Sequence, residues 1–103
     1  MKEYIRVIVK RPDEKVGQIK EIKNELSAMQ ELVEGYIEVV LAYNKALIVC
    51  NEEGAINNLE PSFACPAGII RGTVFVCGTN GEDFDDCPMD LKMWEGLLNA
   101  WGN

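Results

Sequence analysis

The sequence predicts an α+β protein in which a mostly antiparallel sheet of four or five strands packs against two helices, at about residues 25–34 and 88–100. Apolar residues recur at every second position in four or five stretches, which is typical of strands, and at every third or fourth position in two others, which is typical of helices. A very short turn between two of the strand-like stretches indicates antiparallel pairing. The length of 103 residues suits one core, so we expect residues 1–103 to form a single domain.

The first strand is predicted over residues 4–10. Ile5, Val7 and Val9 share one face, and polar residues alternate with them on most of the other, which favours a half-buried strand. The following residues 11–14 place proline and then aspartate at the centre of a type I turn.

The next segment permits two interpretations. Apolar residues from Ile19 to Val33 recur at helical spacing, which allows one helix over about residues 17–34. The alternative is a short strand at residues 17–22, followed by a helix that Asn24 caps. The periodicity does not distinguish them. In both, the stretch up to Val33 is helical and Gly35 ends it.

Three further strand-like stretches follow. Residues 36–42 and 45–51 are rich in β-formers, and Asn44 between them tolerates the left-handed conformation, so they predict a tight hairpin. Residues 60–68 contain two prolines and are predicted as a loop. Residues 69–77 form the most apolar stretch, which predicts a central strand in which Gly72 marks a bulge or a close backbone approach.

The C-terminal part is predicted as a glycine-bearing turn at residues 78–81, an acidic loop and a helix that Pro88 opens. Trp94 and Trp101 lie on one face of that helix and are expected to pack against the sheet. The whole pattern predicts a single interior, with three sheet residues packed beneath Leu32 and Trp94: Val39, Ile48 and Val74.

The residue types present exclude several classes of active site. The chain has no histidine, which excludes Ser-His-Asp and Cys-His nucleophile pairs and the HExxH metal site. It has no GxxxxGK[ST] or GxGxxG loop, and its acidic stretch does not match a calcium loop. We therefore expect a protein that is not an enzyme and that has no metal and no cofactor.

The four cysteines and the hydropathy indicate a compartment. No CxxC pair occurs, no apolar run approaches the ~20 residues that span a membrane, and no signal-peptide core follows Met1. We expect no membrane association and a reducing cytoplasm without disulfides. Cys50 and Cys77 lie in apolar strands and are predicted to be buried, whereas Cys65 and Cys87 precede prolines and are candidate accessible thiols.

The net charge of −7 is unevenly distributed. Residues 1–23 carry seven Lys and Arg against four Asp and Glu, whereas residues 24–103 carry three against thirteen. Such a surface repels phosphate backbones and attracts basic protein surfaces, so we expect no nucleic-acid partner. The densest acidic group is the candidate partner-binding site, with a merely solvated acidic surface as the alternative interpretation: Glu82, Asp83, Asp85 and Asp86.

Four segments, taken in their order and spacing, resemble a known family: MQELVEGYIEVV at residues 29–40, ALIVCNEEG at 46–54, IIRGTVFVCG at 69–78, and Asp83-Phe84. They are similar to family 3846 among the domains of unknown function, whose members are small bacterial and phage proteins often found on mobile elements. The resemblance covers about residues 24–84. It implies a strand pair, a helix, a hairpin and a further strand, which favours a strand at residues 16–23.

The resemblance implies no catalytic residues, because the family has no established activity. The chain departs from the family pattern at residues 59–63 and 85–88, so any role tied to those stretches is not carried over.

Three functional hypotheses follow from the sequence. The first is a binding module of phage or mobile-element origin that contacts a host protein with a basic surface. The second is a protein that binds or sequesters a small nucleotide-like anion, with residues 60–68 as a lid. It has four ligand-binding candidates: Arg6, Arg11, Arg71 and Gly72. The third is an acidic decoy that mimics DNA through residues 82–90 and blocks a host defence enzyme.

Overall fold

The computed structural model describes residues 2–103 and contains eight strands and two helices within them. The bounds are β1 (Tyr4–Lys10), β2 (Gln18–Lys23), α1 (Leu26–Val33), β3 (Ile37–Tyr43), β4 (Ala46–Asn51), β5 (Pro61–Cys65), β6 (Gly68–Arg71), β7 (Val74–Asn80), β8 (Asp83–Asp85) and α2 (Leu91–Ala100). Six strands form one antiparallel sheet in the order β2-β1-β7-β4-β3, with β8 also paired to β7. Strands β5 and β6 form a separate two-stranded sheet.

The predicted α+β class with a mostly antiparallel sheet and two helices is confirmed. The ambiguous segment is a strand, β2, which pairs antiparallel with β1 and places Ile19 opposite Ile8. The turn predicted at residues 11–14 has the hydrogen bond of a β-turn, in which the amide of Glu14 donates to the carbonyl of Arg11 over 3.1 Å. The hairpin of β3 and β4 is also confirmed, and Asn44 adopts the left-handed conformation at φ 54°.

The sheet is covered on both faces, so the predicted single interior is wrong. Helix α1 packs on one face, over buried residues that include Ile5, Val49 and Phe75. Helix α2 and the small sheet pack on the other, over residues that include Ile8 and Val76. The central strands carry apolar side chains at consecutive positions. Because successive side chains point to opposite faces of the sheet, alternate residues of each strand belong to different cores. For the same reason β1 is not half-buried, since its last four residues are all buried.

The expected packing of three sheet residues is confirmed for two. Ile48 and Val74 are fully buried in the same cluster as Trp94. Leu32 packs against the opposite face, and Val39, on the edge strand β3, remains 45% exposed.

The two tryptophans of the last helix pack as predicted. Trp94 is completely buried, its indole N–H donates to the carbonyl of Val16 over 2.9 Å, and its ring meets the edge of Phe63 at 5.5 Å between centroids. Trp101 stacks on Phe63 at 6.2 Å and meets Trp94 edge to face at 5.9 Å, so the three rings contact one another. Phe63 lies on β5, so this aromatic group joins α2 to the small sheet.

Two segment predictions are corrected. Residues 60–68 are not a loop, because β5 and the start of β6 lie within them and pair antiparallel. The predicted central strand over residues 69–77 is divided by Gly72, which has φ +81° and lies so close to Leu59 that an added Cβ would come within 2.8 Å of its Cδ1 atom. The chain therefore turns from the small sheet into the large one at this glycine, where the sequence indicated a bulge or close approach.

The element ends differ from the predictions by a few residues. The carboxylate of Asp90 accepts a hydrogen bond from the amide of Met93 over 2.8 Å, so α2 begins at Leu91 and not at Pro88. The acidic loop contains the short strand β8, and β7 extends through most of the predicted turn at residues 78–81. Helix α1 ends at Val33, and its C-cap residue Glu34 takes the left-handed conformation expected of Gly35. Its N-cap position is Glu25, not Asn24.

Candidate functional site

An apolar groove lies between α2 and the turn of the β3–β4 hairpin. Its volume is about 270 Å³, and we call it the α2 groove. Its lining is almost entirely apolar and comprises Tyr43, Met89, Met93, Gly96, Leu97 and Ala100.

Local sequence features produce the α2 groove. A register shift in β3 between Leu41 and Tyr43 places Tyr43 opposite Ala46, which belongs to the α2 side of the sheet. Gly96 leaves room in the middle of the helix, because a Cβ added there would meet no atom within 4 Å. Tyr43 and Met93 keep 63% and 54% of their exposure. The groove therefore presents a ring and a flexible thioether chain, which adapt to varied apolar partners.

The sequence analysis missed the α2 groove, although a signal for it was present. Met93, Leu97 and Ala100 follow one another at spacings of four and three residues, which places a second apolar stripe on the helix beside the one that carries Trp94. Trp94 and Leu98 are buried in the core, and Leu97 packs against it, whereas Met93 and Ala100 remain exposed.

A larger cavity of about 500 Å³ opens beside α1, and we call it the α1 cavity. Ile22 and Leu32 supply its apolar part. Four charged side chains of mixed sign stand around it: Arg11, Lys23, Glu31 and Glu34. Within residues 2–103 the Arg11 guanidinium has no recorded ion pair or hydrogen bond, whereas Lys23 lies 3.4 Å from a carboxylate oxygen of Glu25.

The four predicted anion-binding residues are not gathered in one site. Arg6 donates to the carbonyl of Cys87 over 2.8 Å, and Arg71 donates to the carbonyl of Leu59 over 3.1 Å. Both guanidinium groups thus bind loop backbone. Arg71 ends β6 in the small sheet and not in a central strand, and Gly72 follows it at the turn. Arg11 is the one that lines a large cavity.

The predicted lid over residues 60–68 is part of the packed structure. Phe63 is buried against both tryptophans, and the ammonium of Lys10 donates to the carbonyl of Ser62 over 2.8 Å. Lys10 is 2% exposed, and burial lowers its pKa. The segment is therefore anchored to β1 and α2.

Two of the four residues of the predicted acidic cluster, Asp85 and Asp86, form ion pairs with Lys2. The ammonium of Lys2 lies 2.9 Å from Asp85 and 2.7 Å from Asp86, and its hydrogen bonds lower the pKa of both carboxyl groups. Asp86 also accepts the amide of Arg6 over 2.8 Å. Glu82 and Asp83 are exposed at the β7–β8 hairpin.

The cysteines are free thiols, and three of them are buried. Burial raises the pKa of Cys50 to about 11 and that of Cys77 to about 12. Cys87 was a candidate accessible thiol, but it is 1% exposed in the α2-side core, in the same buried cluster as Trp94, and burial raises its pKa. Cys65 is partly exposed. Thiols with raised pKa values are poor nucleophiles near neutral pH.

Neither a metal-binding cluster nor a membrane-spanning helix occurs among the described residues. Among residues 2–103, no three or more Cys, Asp or Glu side chains come together in a way that would hold a metal ion. Neither helix within that range has the length and apolar character needed to cross a membrane.

Comparison with known proteins gives one match. The profile of the family described as "Domain of unknown function (DUF3846)" matches residues 5–98, which extends beyond the 24–84 of the resemblance seen in the sequence and includes both departing stretches. Searches of curated proteins and of solved structures gave no match. Since the profile covers β1, the central sheet and most of α2, this chain belongs to the DUF3846 family.

Proposed function

We propose that this chain is a small, non-enzymatic binding protein that contacts a partner protein through the α2 groove. The observation that carries the proposal is the apolar lining of the α2 groove, where Met93 is more than half exposed next to an exposed Tyr43. Exposed apolar clefts on small proteins are favoured sites of protein contact, and methionine-lined ones accept apolar anchors of different shapes.

The partner segment that fits the groove carries an apolar anchor flanked by basic residues. The groove offers almost no polar atoms to its occupant, so affinity must come from an apolar side chain that fills it. The chain carries a net charge of −7, and Asp90 is exposed at the start of the same helix. Basic flanks on the partner would therefore increase the association rate and make it sensitive to salt.

The setting of this interaction is part of the proposal. The family resemblance implies a phage or mobile-element origin, so we propose a host protein as the partner. We place the encounter in the cytoplasm, where four free thiols would stay reduced.

A matched pair of variants tests the α2 groove. Met93→Glu adds a charge inside the groove, and Asn99→Glu adds the same charge at an exposed position of the same helix outside it. Partners captured from a bacterial lysate by the unmodified chain should be retained by Asn99→Glu and lost with Met93→Glu. The strongest captured protein is then purified and titrated, and we expect Met93→Glu to weaken its binding by about tenfold or more.

Two outcomes would contradict this proposal. One is a lysate capture that yields no protein eluted by raised salt. The other is a purified partner whose affinity for Met93→Glu equals its affinity for Asn99→Glu while circular dichroism shows both variants folded.

A second candidate function rests on the α1 cavity. We propose, as the alternative, that a small nucleotide-like anion binds there, because Arg11 lines the cavity with its guanidinium unpaired among the described side chains. A thermal-shift screen with nucleotides should raise the unfolding temperature of the unmodified chain and not of Arg11→Ala. The absence of any shift across the panel would exclude this alternative.

The DNA-mimic alternative receives less support from the geometry. Asp85 and Asp86 share the Lys2 ammonium, so they offer a weakened pair of negative charges to a phosphate-binding surface. The remaining exposed carboxylates at the hairpin, Glu82 and Asp83, are adjacent in sequence and do not by themselves extend into a stripe.

A further inference from the structure

The two edges of the large sheet differ in how their backbone is protected. Strand β2 forms one edge and β3 the other, and within residues 2–103 each pairs on one side only. Edge strands in monomeric proteins are commonly protected by charged side chains or proline, because their free N–H and C=O groups can pair with another chain. Strand β2 follows this rule, with Lys20, Glu21 and Lys23 exposed among its six residues.

Strand β3 lacks that protection. Its seven residues, IEVVLAY, contain one charged side chain, Glu38, and no proline. On the α1 face of the sheet, Ile37 packs against the α1-side core, whereas Val39 is 45% exposed and Leu41 is 68% exposed. The edge thus combines free backbone groups with an uncovered apolar stripe.

Hydrogen bonding to β4 fixes which backbone groups of β3 are free. The amide of Glu52 donates to the carbonyl of Tyr36 over 2.8 Å, so residue 36 directs its backbone polar groups toward β4. In a strand, backbone groups alternate in direction, so residues 38 and 40 also face β4. The N–H and C=O groups of Ile37, Val39 and Leu41 therefore point away from the sheet.

We propose that the partner at this edge is a second copy of the chain, paired antiparallel through β3 about a two-fold axis at Val39. Each outward residue then meets another outward residue: Val39 meets its own counterpart, and Ile37 meets Leu41 of the second copy. Each such pair exchanges both N–H···O bonds. The two-fold axis is perpendicular to the sheet, so both apolar stripes lie side by side on the same face and cover each other.

Charge and strand regularity select this register. A pairing centred on Glu38 would place two carboxylates directly opposite each other, which is destabilising. In the pairing centred on Val39, Glu38 stands opposite Val40. A pairing centred nearer the turn would use the irregular part of β3, where its register against β4 shifts between Leu41 and Tyr43. Residues 37–41 are the regular segment, and Val39 is its midpoint.

This inference is independent of the α2 groove. Val39 and Leu41 share the α1 face, whereas the groove lies beside α2 on the other face. A dimer formed through β3 would therefore contain two α2 grooves. Loss of the β3 pairing would leave partner binding at the groove measurable, and loss of partner binding would leave dimerisation measurable.

Sedimentation equilibrium of the full chain over a concentration series tests the dimer. We expect a monomer–dimer equilibrium for the unmodified chain. Leu41→Lys places a charge on the apolar stripe and should weaken dimerisation by about tenfold or more. The matched control is Ile19→Lys on the opposite edge, where the native side chain is 43% exposed, and it should dimerise as the unmodified chain does. A chain that stays monomeric to millimolar concentration would overturn the proposal, as would a dimer that Leu41→Lys leaves intact.

Amide hydrogen exchange on the unmodified chain tests the strand pairing without relying on a variant. The amides of Ile37, Val39 and Leu41 should exchange more slowly as concentration rises, because in the dimer they donate to the second copy. The amides of β2 should show no concentration dependence. A dimer in which the three β3 amides exchange at the same rate at every concentration would overturn the pairing.

Discussion

At the scale of single residues, close backbone approach decides which positions tolerate a side chain. Gly78 lies on β7, where the chain after β8 passes over it, and a Cβ built there would stand 2.3 Å from the carbonyl oxygen of Asp86. The obstacle is backbone and not the end of a flexible side chain. Gly96 offers the opposite case, an open position in a helix.

We expect Gly78→Ala to lower the free energy of unfolding by about 1–3 kcal/mol, because β7 or the segment at Asp86 must shift. Gly96→Ala should raise it by about 0.5–1 kcal/mol, since alanine is the better helix former and meets no atom there. Urea denaturation followed by circular dichroism measures both. A Gly78→Ala variant as stable as the unmodified chain would show that the approach is not tight.

Lys10 is a buried charged residue whose burial cannot be predicted from the sequence pattern. Its side chain alternates onto the face that α2 and the small sheet cover, so it is buried although the sequence suggests an exposed strand end. Its ammonium finds the carbonyl and hydroxyl of Ser62 and the carbonyl of Arg11. These acceptors satisfy the buried charge, and they come together only when β5 folds onto β1.

At the scale of elements, the end of α1 is held by a side chain from another strand. Asn51, at the end of β4, is 6% exposed, and its amide nitrogen donates to the carbonyls of Val33 and Glu34 over 3.1 and 3.2 Å. Its amide oxygen accepts the amide of Glu53 over 2.7 Å. Asn51 therefore caps the helix and fixes the turn after β4 at the same time.

We expect Asn51→Asp to lower the free energy of unfolding by about 2 kcal/mol or more. The aspartate keeps the acceptor for Glu53, but it loses both donors and places a negative charge against the carbonyl end of a helix. Asn57→Asp, which adds the same charge at an exposed position, should change it by less than about 0.5 kcal/mol. Equal stabilities of the two variants in urea would contradict the capping role.

At the scale of the whole molecule, the two cores contain three buried thiols that resist ionisation. Burial raises the pKa of Cys50 to about 11 and of Cys77 to about 12, and it also raises that of Cys87. In the unfolded chain these thiols ionise near the ordinary thiol pKa of 9.0. The folded state therefore binds more protons than the unfolded state at alkaline pH.

The sign of the pH dependence follows from this difference. Each thiol contributes stability that is complete below pH 9 and is lost as the pH rises toward its folded pKa, by about 1.4 kcal/mol per pH unit. Lys10 acts in the opposite direction because burial lowers its pKa, but it is one group against three. We expect the free energy of unfolding in urea to fall between pH 9 and 10.5. Cys77→Ala should reduce that slope, and an unchanged slope would contradict the assignment to buried thiols.

The sequence by itself determined several elements of this protein and the absence of familiar catalytic motifs. Period-two and helical spacing predicted β1, the β3–β4 hairpin and both helices, because those patterns report which side of each element meets a core. The family was recognised from the order of these segments and is shown by the profile match. The strand at residues 18–23 followed from the resemblance, since its apolar spacing suits a helix equally well.

Tertiary structure alone decided how the elements share the two faces of the sheet and which side chains remain uncovered. Strands β1, β4 and β7 are apolar on both sides, and no local pattern states which helix covers which side. The four candidate anion-binding residues lie apart in the structure, whereas the residues of the α2 groove lie together and the edge of β3 is open. One physical reason accounts for all three findings. Burial and exposure are properties of an arrangement in space, and residues far apart in the chain, such as Tyr43 and Met93, acquire a common surface only after folding.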